Sequence, residues 1–205
     1  MFYETSANAH GLKHDPFKAI VSPRPIGWIG SRRADGALNL SPYSFFNAVS
    51  DVPKIVMFSS GGRKDSVANI EETGVFTCSF VSRNLAVPMN ASSVAVPHGV
   101  DEFAIAGLTP EPGRLVEAPF VAEAFAALEC RMTEILRPKG LNGQSSENRV
   151  VFGQVVGIHI KEEIIRDGLL DMSIARPVGR MGYMDYSEAS EVFEMMRPPR
   201  PASAS

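Results

Sequence analysis

The sequence predicts a mainly β fold that closes as a barrel. Short strand-like segments separated by turn residues recur along most of the chain, and few segments have the periodicity of a helix. Closing the sheet into a barrel protects its edges. The 205 residues are 44% hydrophobic and 21% charged, which is ordinary for one globular domain. We therefore expect a single domain over residues 1–196.

The predicted strands differ in how they should be buried. In chain order they cover residues 25–31, 37–41, 54–59, 75–81, 127–137 and 150–160. Asp35-Gly36 lies between the first two strands and is a strong hairpin signal. Residues 54–59 form an uninterrupted apolar run, which is typical of a fully buried strand. Residues 75–81 and 127–137 alternate, which predicts one apolar face and one polar face.

Helices are few. Residues 65–73 begin with the capping residues Asp65 and Ser66 and are followed by Gly74, which suits the end of a helix. Residues 83–91 and 121–125 are weaker helical candidates, and Pro88 interrupts the first. Residues 197–205 are rich in Pro, Ser and Ala, so we expect a disordered tail.

Charge and composition exclude several functional classes. The net charge of −3 gives no basic surplus for a general nucleic-acid binder. No apolar run is long enough for a membrane-spanning helix, and the first residues do not resemble a secretory signal. Cys78 and Cys130 cannot form a disulfide framework, which favours buried thiols in a cytoplasmic protein. No metal site and no catalytic acid–base pair is predicted.

The segment SSGGRKDS has the composition of a phosphate site. Two glycines free the backbone, the hydroxyl groups can donate, and a helix start adds unpaired N–H groups. The side chains concerned are Ser59, Ser60, Arg63, Lys64, Asp65 and Ser66. Asp65 is unfavourable beside an anion, so we interpret it as the N-cap or as a residue that orients a cation. An ordinary charged loop capped by Asp65 is the alternative.

Two further segments could surround a flat ligand. Tyr43, Phe45 and Phe46 could form apolar walls. Ser41, Ser44 and Asn47 could contact polar edges of the same ligand. Core packing is the alternative for Phe45 and Phe46. In the other segment, prolines on both sides keep Arg24 extended, so that its backbone could face a ligand edge or its side chain could form a structural salt bridge.

The motifs in their order resemble the flavin reductase-like family of FMN-binding split-barrel proteins. The resemblance rests on PRPIGWIGS, NLSPYSFFNAVS, KIVMFSS, RKDSVANIEETG, VVFGQVVGIHI and RPVGRMGYMDY. It implies a split β-barrel, a homodimer and one FMN per subunit near the dimer interface. It assigns Arg63, Lys64, Asp65 and Ser66 to the phosphate, and Asn39, Ser41, Tyr43, Ser44, Phe45, Phe46 and Asn47 to the ribityl chain and the ring. The backbone of Arg24, Pro25 and Ile26 would lie at the ring edge, and Arg180 would contact the flavin or the partner subunit.

The resemblance favours an NAD(P)H-dependent flavin reductase. NAD(P)H would be a transient substrate, since no G-x-G-x-x-G fingerprint is present, and residues 97–103 would be a rim of its site. A monooxygenase is a possible partner. The first alternative is a non-enzymatic FMN electron carrier that a protein partner reduces. The second is a split barrel without redox chemistry. His159 would be either a structural residue or one near the ligand.

Overall fold

The computed structural model describes residues 1–199 and consists mainly of β-strands. The strands are β1 (Arg24–Pro25), β2 (Gly27–Arg32), β3 (Leu38–Tyr43), β4 (Phe46–Asp51), β5 (Lys54–Gly61), β6 (Val75–Ser79), β7 (Pro110–Pro112), β8 (Pro119–Val121), β9 (Ala126–Leu136), β10 (Asn148–Ile160), β11 (Ile165–Arg166), β12 (Leu169–Leu170), β13 (Val178–Arg180) and β14 (Tyr186–Glu188). The helices are α1 (Phe17–Ile20), α2 (Asp65–Thr73), α3 (Ala86–Ala91), α4 (Glu102–Ala106) and α5 (Met172–Ala175).

Seven strands form one curled antiparallel sheet. Their order is β3-β2-β6-β9-β10-β5-β4. The concave face holds one apolar cluster, in which Phe58, Phe76 and Val151 pack against Val67 and Ile70 of α2. A second cluster lies on the other side of β2 and β3, beneath α3 and α4. The prediction of a mainly β fold is confirmed by this half-barrel sheet, and both clusters pack against it.

Helix α2 has the predicted bounds. Gly74 follows it with a φ of 72°, and its N–H is 2.8 Å from the carbonyl oxygen of Ile70. This left-handed conformation suits glycine, which has no Cβ. The N-cap prediction is wrong by one residue, because Lys64 occupies that position and Asp65 is the first helical residue. The Asp65 carboxylate contacts the ring of His98 instead of capping the helix.

Three predictions about burial are corrected. Strand β5 is half-buried, with Phe58 facing inward and Met57 partly exposed, because only one of its faces meets the core. In β6, Thr77 and Ser79 are buried, because β8 covers that face and Val121 N–H donates to the Ser79 hydroxyl at 3.0 Å. In β9, Glu129 is 1% exposed although the alternation places it on the polar face.

Two helix predictions also change. Residues 121–125 form the end of β8 and a turn and not a helix, because Val121 pairs with Pro110 of β7. Pro88 does not interrupt α3, because it lies in the first turn, where its missing N–H has no helical partner. Residues 197–199 of the predicted tail have no regular structure, and residues 200–205 lie outside the described residues.

Candidate functional site

The structure joins the predicted phosphate segment to strand β3. Asn39 on β3 accepts a hydrogen bond from Ser66 at 2.7 Å, and both residues are buried. The Asn39 amide also donates to Glu102 at 3.0 Å, and the Leu40 N–H donates to the same carboxylate oxygen at 3.1 Å. These contacts fix the start of α2 against β3. Two segments that the sequence analysis treated separately therefore form one structure.

The charges of the loop before α2 are largely paired. The Nε of Arg63 lies 2.5 Å from the carboxylate of Glu71, so this side chain turns along the helix. Asp65 lies 2.6 Å from the His98 ring and accepts the Gly99 N–H at 3.2 Å. Lys64 makes no ion pair with any of the residues described. Residues 97–103 therefore lie at the predicted phosphate end of the site.

In the predicted aromatic wall, Tyr43 is buried, whereas Phe45 and Phe46 are half-buried. Tyr43 is 9% exposed and its ring centroid lies 4.7 Å from that of Phe58. Phe46 packs on Gly27, where an added Cβ would lie 2.4 Å from the Phe46 ring. The backbone carbonyl of Phe45 accepts the Ser59 N–H at 2.8 Å, which ties this segment to the predicted phosphate segment.

An apolar cleft of about 220 Å³ opens beside this wall. Its lining includes Pro25, Ile26, Phe46, Leu128 and Val178. The predicted ring-edge residues Pro25 and Ile26 therefore share one cavity with Phe46. The cleft has the apolar character that a flat aromatic ligand requires.

Arg24 is held within the protein. Its guanidinium donates to the carbonyl oxygens of Lys18 and Val21, and to that of Met181 at 2.8 Å. It lies opposite Arg180 in the pairing of β1 with β13. Burial and the charge of Arg180 lower the pKa of Arg24. The side chain therefore has a structural role through backbone carbonyls, and within residues 1–199 it forms no salt bridge, which was the alternative in the sequence analysis.

Other predicted residues lie at the margin. Arg180 stacks on Tyr186, with its guanidinium carbon 4.4 Å from the ring centroid. Asn47 is exposed, and its side-chain oxygen accepts the N–H of Ala48 at 2.9 Å. Ser41 and Ser44 are half-buried.

Sequence reasoning missed three polar residues. Asn148 donates to the Ser59 hydroxyl at 2.9 Å, and Arg149 has a buried Nε without a hydrogen-bond partner in the described chain. Both begin β10, where the alternation gave no sign of a neighbouring site. Glu102 was the third, because the short helix that carries it was not predicted.

His159 has a structural environment. Its ring lies 2.6 Å from the Glu129 carboxylate and its centroid 4.4 Å from that of Phe120. Glu129 also accepts the backbone N–H groups of Arg114, Leu115 and Val116. This pair pins the loop before β8 to the sheet. Among residues 1–199, no group of three or more His, Cys, Asp or Glu side chains could hold a metal ion.

The site offers two chemically distinct parts. One is the apolar cleft, and the other is the polar loop with Lys64 and the start of α2. The hydroxyls of Tyr43 and Ser60 are buried without a hydrogen-bond partner among the described residues. Buried polar groups are normally paired, so unpaired ones are suited to meet a ligand. These residues fit a ligand with an aromatic ring and an anionic tail.

Known proteins are similar to this chain in sequence and in fold. Residues 21–176 match the family described as "Flavin reductase like domain". An uncharacterized protein of Deinococcus radiodurans is 37% identical over 192 residues, or 88% of this chain and 82% of the relative. Nitrilotriacetate monooxygenase component B from Bacillus cereus is 25% identical, with a TM-score of 0.84 over 95% of this chain and 98% of that chain. Flavoredoxin of Desulfovibrio vulgaris (Miyazaki F) is 24% identical, with a TM-score of 0.73 over 98% of this chain and 99% of that chain.

These matches confirm the family resemblance that the sequence analysis stated. The predicted split β-barrel is confirmed by solved structures of the same architecture. No helix within residues 1–199 is long and apolar enough to cross a membrane. Because the family match spans most of the chain, the protein belongs to the flavin reductase-like family.

Proposed function

We propose that this protein binds one FMN per subunit and acts as an NAD(P)H-dependent flavin reductase. Membership of a flavin reductase-like family supports a flavin-related redox role. The observation that carries the FMN proposal is the joining of an aromatic segment to a phosphate-type loop. Phe45 contacts Ser59 through the backbone, and Asn39 contacts Ser66 through side chains. One mononucleotide with a flat ring accounts for both parts.

The residues divide by role in this proposal. Lys64, Ser60 and the N–H groups at the start of α2 would hold the phosphate. Pro25, Ile26 and Phe46 would contact the ring, because they line the apolar cleft. Asn39 and Ser66 would act by positioning α2, since their polar atoms already bind each other. Arg63, Asp65 and Arg24 have partners within the chain and would act indirectly.

Bound flavin supplies the redox chemistry, and the protein binds, orients and tunes it. The chain's apolar cleft would exclude water from one side of the ring, and the unpaired hydroxyl of Tyr43 would donate to or accept from a polar ligand atom. No side-chain acid or base is required in this role. The backbone N–H groups and cations of the loop would favour an anionic ligand.

The electron acceptor is a second part of the proposal. The likeness to component B of nitrilotriacetate monooxygenase supports a monooxygenase as the acceptor of electrons. The likeness to flavoredoxin of Desulfovibrio vulgaris (Miyazaki F) supports a second candidate, an FMN electron carrier that a protein partner reduces. We also propose a homodimer and, because Cys78 and Cys130 are free thiols, a cytoplasmic location.

The absorbance spectrum of the purified protein, followed by anaerobic addition of NADH or NADPH, tests the function. Bound FMN gives bands at about 370 and 450 nm, a property of the cofactor. Bleaching by a nicotinamide is expected for a reductase. Bands that persist would favour the electron carrier, and failure to bind added FMN would contradict both candidates.

Lys64→Ala tests the placement of the phosphate. We expect the Kd for FMN to rise about tenfold or more, because a charge-assisted hydrogen bond is lost. Lys139→Ala, which removes an exposed lysine from another loop, is the control. An unchanged Kd in Lys64→Ala would contradict the placement. Ser66→Ala is a poorer test, because it also breaks the contact with Asn39.

A further inference from the structure

Arg149 and Ser60 face each other across two strands. They are directly paired in the register of β10 with β5. Directly paired residues place their side chains on the same face of a sheet. The next pair on that face is Val151 with Phe58, and both are 0% exposed. Arg149 and Ser60 therefore lie at one end of the barrel interior.

The polar groups of this pair lack partners. The Ser60 hydroxyl and the Arg149 Nε are buried, and neither has a hydrogen-bond partner within residues 1–199. Nor does Arg149 form an ion pair with any carboxylate of residues 1–199. Nε is one of the five N–H donors of a guanidinium that remains charged, and a buried donor without an acceptor is costly. An anionic ligand would remove this cost.

The position of the pair indicates which anion. Ser60 leads through two glycines directly into Arg63 and Lys64. A phosphate monoester carries a charge of about −1.5 to −2 at neutral pH. Arg63 is occupied by Glu71, and Asp65 by His98, so Lys64 alone does not balance that charge. Arg149 would supply a second positive charge and a planar fork that fits phosphate oxygens.

We propose that Arg149, assisted by the hydroxyl of Ser60, binds the phosphate group of the flavin. This inference rests on the proposed function, in which FMN is the ligand. It replaces Arg63, the arginine that the sequence suggested, with one that lies 86 positions later and reaches the site through the register of β5 with β10. The ligand class is a phosphate monoester, and riboflavin lacks that group.

Titration of the full chain with FMN and with riboflavin, followed by flavin fluorescence, tests the proposal. In Arg149→Gln we expect the Kd for FMN to rise about tenfold to a hundredfold and that for riboflavin to change less than about twofold. Arg149→Lys should give an intermediate Kd for FMN, because the charge is kept and the fork is lost. Arg137→Gln is the matched control, since it removes the same charge from an exposed position after β9.

Four outcomes would contradict the proposed role of Arg149 or the proposed function. An equal loss for FMN and riboflavin would assign Arg149 to the structure of the barrel and overturn the proposal, as would unchanged binding of both. Weaker binding of NADPH with unchanged binding of FMN would assign the anion to the nicotinamide substrate and also overturn it. Wild-type protein that binds neither flavin would contradict the proposed function itself.

Ser60→Ala provides a second test if Arg149→Gln does not fold. The change removes one buried hydroxyl and leaves the charges unchanged. We expect the Kd for FMN to rise about threefold to tenfold with riboflavin binding retained. Circular dichroism and the thermal midpoint of the apoprotein show whether each variant is folded. Equal binding of FMN by Ser60→Ala and the wild type would remove Ser60 from the proposed site.

Discussion

At the scale of single residues, Glu129 shows what keeps a carboxylate inside this sheet. Its oxygens accept N–H groups from Arg114 at 2.9 Å, Leu115 at 2.6 Å and Val116 at 2.9 Å. His159 lies 2.6 Å away. We expect Glu129→Ala to lower the free energy of unfolding by about 2–4 kcal/mol, because buried donors lose their acceptor. Urea unfolding at pH 7 measures this, and Glu134→Ala on the exposed face of β9 should be almost neutral.

The pKa of Glu129 makes this contribution depend on pH. Burial opposes ionisation, but the hydrogen bonds from Arg114, His159, Leu115 and Val116 bring the pKa below its ordinary 4.5. The folded carboxylate therefore stabilises the protein above about pH 4.5, and the contribution is lost as the pH falls through the lowered pKa. The stability difference between wild type and Glu129→Gln should shrink below pH 4.5. A constant difference from pH 7 to pH 3 would contradict this.

The pKa of Glu102 shifts in the opposite direction to that of Glu129. Burial raises its pKa above the ordinary 4.5 despite hydrogen bonds from Leu40 and Asn39, and the charge of Asp65 adds to the increase. Ionisation of Glu102 therefore costs folding free energy, and this cost grows as the pH rises above about 4.5. We expect Glu102→Gln, whose oxygen can still accept both hydrogen bonds, to gain stability over wild type between pH 5 and pH 8. Glu102→Ala should lose stability, because it leaves both donors unpaired.

At the scale of elements, the close packing of β8 on β2 and β6 depends on a glycine. A Cβ at Gly30 would lie 2.0 Å from the carbonyl oxygen of Pro119 and 2.5 Å from the Thr77 hydroxyl. We expect Gly30→Ala to cost about 3 kcal/mol or more, because backbone must move to relieve the overlap. Gly61→Ala, where a Cβ meets nothing within 4 Å, is the control and should change stability little. Equal midpoints of urea unfolding in both variants would contradict this packing.

Elements that depend on local signals could be predicted from the sequence, and features that depend on distant contacts could not. Helix α2 could be predicted because its periodicity and Gly74 are local signals. The burial of Thr77 and Ser79 could not be predicted, because β8 covers them. Each forms a hydrogen bond to a residue of β8 that lies 42 positions later in the chain. The candidate site divides similarly. The motif order pointed to Asn39 and Ser66, whereas Arg149 needed the register of β10 with β5.

At the scale of the whole molecule, one sheet face carries exposed apolar side chains. A groove of about 470 Å³ includes Val49 and Ile158, which are 48% and 51% exposed. Large contiguous apolar surface is uncommon on a monomer, and the family resemblance implies a homodimer with flavin near the interface. We propose this face as the contact of the homodimer that the resemblance implies.

Ile158→Lys tests that assignment. A charged side chain in the proposed contact would have to be desolvated on association, so we expect the proposed dimer to dissociate into monomers at micromolar concentration. Sedimentation velocity measures the mass, and FMN binding should weaken in parallel if the flavin lies near the interface. Val87→Lys places the same charge on α3, at a residue that is 75% exposed, and should leave both mass and binding unchanged. If Ile158→Lys remains a dimer while Val87→Lys dissociates, the contact lies on the helical side of β2 and β3 instead, and the groove on the sheet must have another role.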